Sequence, residues 1–114
     1  MTTREIANRL VYLCRNGEFV KAELELYGHD VVHVETTGQE FKGFDIVLMK
    51  EKQFLEKLQD KPLIKVSEPL VAGDYFSISM YMKFVHSELG PRNIEEIIVY
   101  KVTHGKITHL KCYA

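Results

Sequence analysis

The chain contains no tryptophan, only three prolines and two cysteines in 114 residues, and its charges nearly cancel, 15 Lys and Arg against 16 Asp and Glu. Each shortage closes off a class of protein. Cys14 and Cys112 lie at opposite ends of the sequence without ligand spacing. That excludes a disulfide scaffold or a zinc knuckle and leaves a buried, reduced thiol as the expectation for each. No apolar run approaches the roughly 20 residues that cross a bilayer. Charged residues in the opening MTTREIANRL occupy the place of a secretory apolar core. A cytoplasmic protein without membrane partners is expected. A formal charge of −1, with both signs dispersed, offers no basic stripe to nucleic acid. There is no glycine-rich phosphate loop and no Gly-x-Ser-x-Gly. His33-x-Glu35 supplies at most two metal ligands and no other pair has metal spacing, so neither metal nor cofactor is expected.

What is present is an ordinary globular composition, 46% apolar and 27% charged. Such a length makes one domain over residues 1–114, burying roughly 65% of its unfolded surface. Thr2 and Glu5 fit a capping box, and Ile6, Leu10, Val11, Leu13 and Cys14 follow at helical spacing until Asn16-Gly17. A second helix is predicted over 18–27, with Phe19, Ala22 and Leu26 on its buried face. A short strand holds Val31 to Val34. A third helix should run from Gly43 to about Asp60, with Phe44, Val47, Leu48, Leu55 and Leu58 inward and Lys50, Glu51, Lys52, Glu56 and Lys57 solvated.

Everything beyond Pro62 reads as strand: 63–71, broken or bulged at Pro69; 74–86, with Phe76, Ile78, Met80, Met82 and Phe84 alternating against polar neighbours; 93–103; and 106–113 after a two-residue His104-Gly105 turn. The order is ααβαββββ, an α+β fold with helices gathered at the front and a mostly antiparallel sheet. Long twisted strands curl, and helices over the concave side leave a cone open at one end.

The ordered set CRNGEFVKAELELYGHDVVHVE, FKG opening a helix, EPLVAGDYFSISM and EEIIVYKVTHGKI resembles the SnoaL-like proteins of the nuclear transport factor 2-like superfamily. The likeness spans nearly the whole chain. It implies a cone-shaped α+β barrel, three N-terminal helices packed on a strongly curved sheet, and a homodimer formed through that sheet. The family mixes ketosteroid isomerases, scytalone dehydratases, polyketide cyclases, epoxide hydrolases and non-catalytic adaptors, so fold alone does not assign an activity. Aligning LYGHDVVHVETTG with the ketosteroid isomerases places Glu35 at their aspartate base. Their two oxyanion donors fall on Leu10 and Ile98, which cannot donate. Each such donor is worth about 3–4 kcal/mol of barrier, so ketosteroid isomerisation itself is not expected.

Strand alternation groups Val31, His33 and Glu35 on one face and Val32 and Val34 on the other. Pattern alone turns the valines inward; the resemblance turns His33 and Glu35 toward the pocket. In a dry pocket Glu35 would serve as base with His33 orienting it, the alternative being a solvated carboxylate at a strand end. Glu96 and Tyr100 share the family's pocket face with Ile98, as an acid and a phenolic donor, or as a surface carboxylate and a packed ring. Leu10, Phe76, Ile78, Met80, Met82 and Ile98 are the candidate ligand wall, two of them adaptable methionines. The leading expectation is a pocket protein shuttling a proton on a small apolar carbonyl compound. A non-catalytic ligand-binding or dimeric interaction module with the same pocket is the alternative.

Overall fold

The computed structural model describes residues 1–114. Helix α1 (Thr3–Arg15) begins at the capping box: the Glu5 N–H donates to Thr2 Oγ1 at 3.1 Å, and the Thr2 N–H donates to Glu5 Oε1 at 2.9 Å. Its buried stripe is Ile6, Ala7, Leu10, Val11, Leu13 and Cys14. Helix α2 (Phe19–Leu26) buries Phe19, Ala22, Glu23 and Leu26. The Arg9 guanidinium clamps the two helices, its Nε and Nη2 donating to the Glu25 carboxylate at 2.9 and 2.8 Å.

Strand β1 (Tyr27–Val34) follows α2 without a loop, four residues earlier than the sequence pattern places it, and pairs antiparallel with β2 (Glu40–Lys42). This second strand escapes sequence reading because three residues are too few to show alternation. Helix α3 (Phe44–Glu56) ends short of Asp60. The Lys57 and Leu58 N–H groups turn back to Phe54 and Leu55 carbonyls, and the Gln59 N–H then donates to the Val85 carbonyl, so the backbone leaves the helix for the sheet.

The remaining strands are β3 (Leu63–Val66), β4 (Leu70–Ala72), β5 (Tyr75–His86), β6 (Gly90–Thr103) and β7 (Lys106–Tyr113). Pro69 splits the segment expected as one strand into β3 and β4, which pair with successive stretches of β5. The β6–β7 turn places His104 at φ 50° and Gly105 at φ 75°, the left-handed pair that a two-residue hairpin requires.

The sheet runs β2-β1-β7-β6-β5-β3, with β4 also on β5. All pairings are antiparallel except β1 with β7, which is parallel. The observed order is therefore ααββαβββββ, and the sheet stays open, with edges at β2 and β3, rather than closing into a barrel. One apolar core joins the α1 stripe to Phe76, Ile78, Val102 and Ile107 on the concave face. Phe76 stacks on Tyr100 with ring centres 4.6 Å apart and planes at 10°, a geometry worth about 0.5–1.5 kcal/mol beyond the area buried.

Candidate active site

Between the curved sheet and the helices lies a cavity of about 510 Å³, within the roughly 300–1,000 Å³ of small-molecule sites. Alternation along the strands sends His33 from β1, Met80 and Met82 from β5, and Glu96, Ile98 and Tyr100 from β6 into its wall, and Glu35 joins them from the residue just past the end of β1. From the helices come Leu10 and Cys14 on α1, Glu23 on α2, and Val47, Glu51 and Phe54 on α3. The lining residues grade from exposed to buried. Thr36, Lys50, Gln53, Glu88 and Leu89 are exposed and form the mouth, whereas Leu10, Cys14, Ala22, Glu23, Tyr27 and Tyr100 are buried and form the closed end.

All four candidate chemical groups, Glu35, His33, Glu96 and Tyr100, lie in this wall, together with Leu10, Met80, Met82 and Ile98. His33 and Glu35 point inward, contrary to the simple valine-in pattern. Phe76 and Ile78 do not reach the cavity. They share the face of Met80 and Met82 but lie toward the β4 end of β5, 1% and 2% exposed, where the hollow has already given way to packed core.

The polar groups differ in their state. Burial lowers the His33 pKa, with the nearby Glu35 charge opposing it, so the ring is held toward its neutral form. Its Nε2 is 3.4 Å from Cys112 Sγ. Burial, followed by the charges of Glu96, Glu35 and Glu51, pushes that thiol up to about 12. Burial and then the Glu35 charge raise the Glu96 carboxyl above its ordinary range. Near the mouth, buried His86 accepts hydrogen bonds at Nδ1 from the Glu88 and Leu89 N–H groups, at 3.1 and 3.2 Å. These bonds confine the proton of the neutral ring to Nε2.

Two further acids of the cavity wall were not legible as site residues. Glu23 is 7% exposed, its Oε1 is enclosed without a hydrogen-bond partner, and burial together with the Glu51 charge pushes its carboxyl up to about 9. Burial pushes Glu51 up to about 7, so the side chain expected on the solvated face of α3 instead faces the cavity. The spacing carried the signal. Glu23 sits at i+4 from buried Phe19 and i−3 from buried Leu26, and Glu51 at i+4 from buried Val47 and i−3 from partly buried Phe54, each on the inward side of its helix. No three His, Cys, Asp or Glu side chains converge closely enough to hold a metal ion; the acids are spread around the wall.

The family model of the SnoaL-like domain matches residues 1–113. A candidate SnoaL-like polyketide cyclase from Mesorhizobium loti superposes with a TM-score of 0.92 at 24% identity, covering 100% of both chains. A candidate polyketide cyclase from Pseudomonas putida KT2440 gives 0.75 at 18% identity, over 100% of this chain and 92% of that one. A Catenulispora acidiphila protein of ketosteroid isomerase-like fold, solved with trimethylamine, gives 0.75 at 13% identity, over 96% and 85%. No curated protein sequence matches the chain. At these identities the structures establish the architecture, and the match over residues 1–113 establishes the family: the chain belongs to the SnoaL-like domain family, on a nuclear transport factor 2-like fold.

Proposed function

We propose that the protein binds a small, mostly apolar carbonyl compound and moves a proton on it without a cofactor. Glu35 is the base, His33 its neutral neighbour, and Glu96 the acid. The observation that carries this reading is the common placement of Glu35 and Glu96 in one apolar cavity, where the charge of the first raises the pKa of the second. A carboxyl raised by a neighbouring carboxylate suits a proton donor facing a proton acceptor. Tyr100 offers a phenol to the same space. Chemically, the step is removal of a proton from the carbon beside a carbonyl and its return elsewhere, as in isomerase, lyase or cyclase reactions.

The test is hydrogen–deuterium exchange at the α-carbon of simple ketones such as cyclohexanone and 2-tetralone in D₂O, followed by proton NMR. Exchange above the buffer rate supports proton transfer. A ketone that raises the melting temperature while its α-protons exchange no faster than in buffer identifies a binding module instead.

The outer sheet face is proposed as the seat of a second copy of the chain. Tyr75, Ile97 and Tyr113 expose about half of their surface there, at 49%, 53% and 48%, and alternation turns all three away from the cavity. Sedimentation of wild type as a dimer and of Ile97→Lys as a monomer supports this; a monomeric wild type at micromolar concentration opposes it.

A further inference from the structure

A carbonyl oxygen that gains charge during proton transfer needs a hydrogen-bond donor, and Leu10 and Ile98 supply none. Among the lining side chains, Glu23 alone has an enclosed nitrogen or oxygen atom that no protein group satisfies. It is more than nine-tenths buried at the closed end of the cavity, and Oε1 is enclosed and unpaired. The titratable groups that share the cavity wall with it and whose charges oppose its own are Cys14 from α1, Tyr27 from β1, Tyr100 from β6 and Glu51 from α3, all of them acids. A carboxylate in that position would be unpaired in an apolar, acidic corner, whereas the neutral acid is the tolerable form.

A purely structural role accounts poorly for it. A leucine on this stripe of α2 would pack without leaving an oxygen unsatisfied. Glu51, which lines the same cavity from α3, adds the charge that further disfavours ionisation of Glu23.

We infer that Glu23 is the hydrogen-bond donor for the ligand oxygen: the carbonyl of a small, mostly apolar ketone enters to the closed end of the cavity and accepts the carboxyl proton, which stays on Glu23. The choice of ketone rests on the proton-transfer reading above; the donor itself rests on the burial and isolation of Glu23. The step is a hydrogen bond only, so no bond is broken and no co-reactant is required.

Infrared difference spectroscopy of the full chain in D₂O near neutral pH, with 2-tetralone as the probe, tests it. The expected result is a protonated-carboxyl C=O band in wild type that is absent in Glu23→Gln and shifts when 2-tetralone saturates the protein. Glu23→Gln, which retains a donor, should bind the ketone within a few-fold of wild type, and Glu23→Leu should bind about tenfold more weakly. No Glu23-dependent band, a band unmoved by bound ketone, equal binding by the leucine variant, or no binding of 2-tetralone would each overturn the inference. A shifted band without α-proton exchange retains the donor and discards the proton-transfer reading. Exchange with an unmoved band does the reverse.

Discussion

His33 Nε2 and Cys112 Sγ meet at 3.4 Å, joining adjacent strands β1 and β7 on the cavity side of the sheet. A histidine beside a cysteine ordinarily invites the reading of an activated nucleophile. Here burial moves the two groups in opposite directions, the imidazole pKa downward and the thiol up to about 12, so the pair is a neutral contact rather than a thiolate–imidazolium ion pair.

That state has a direct consequence for reactivity. Cys14 is also pushed up to about 12, mainly by burial. Both thiols of the folded chain should alkylate with iodoacetamide at least about an order of magnitude more slowly than in the denatured chain at mildly alkaline pH. Mass spectrometry of quenched time points reads the two sites separately. Rapid labelling of native Cys112 would mean a thiolate and would reverse the assignment of His33 as a neutral neighbour of Glu35.

Stability should fall as pH rises. Glu23 goes from an ordinary value of 4.5 to about 9 on folding, and Glu51 from 4.5 to about 7. Below the ordinary value both states hold these protons. Between that value and the folded one, only the native state does, so ionisation of the unfolded chain draws it away from the native state. The slope for one such group is about 1.4 kcal/mol per pH unit in that window. Glu51 ceases to contribute above about 7 and Glu23 above about 9. Thermal melts of wild type and Glu23→Gln across mildly acidic to alkaline pH should diverge in slope, the variant being flatter. Parallel curves would mean that Glu23 ionises normally in the native state.

Phe76 and Met80 occupy one face of β5 and should respond differently to truncation. Phe76 is 1% exposed and stacked on Tyr100, so Phe76→Ala should cost about 3–5 kcal/mol in denaturant unfolding. Met80 borders the cavity and is only half-buried. Met80→Ala leaves little new void to close and should cost less than about 2 kcal/mol. Equal losses would mean that the hollow ends at a different level of the strand.

These contrasts mark what the sequence carried. Long periodic segments were legible: the α1 stripe, the alternation from Phe76 to Phe84, and the His104-Gly105 turn all announce themselves through local chemistry. Strand β2 did not, because its pairing is set by β1 and three residues carry no period. The level at which the β5 face passes from core to cavity also escaped, since alternation says which way Phe76, Ile78 and Met80 point but not what stands opposite. The placement of Glu35 and His33 in the cavity wall was legible only through family resemblance, against the valine-in pattern. Glu51 was missed because an acid on α3 was read as surface by residue type, and Glu23 because only apolar positions were assigned to the buried face of α2. Position, at i+4 and i−3 from buried or partly buried neighbours, was the better guide.

The central claim is that Glu35 accepts a proton from a ligand held in the cavity. Its most direct test is the rate of α-deuterium incorporation into 2-tetralone by wild type and by Glu35→Gln at neutral pH, with unchanged ketone binding as the control. Loss of a general base costs about 10²–10⁴-fold. The account predicts exchange above buffer for wild type and a drop of that size in the variant; undiminished exchange by Glu35→Gln would contradict it.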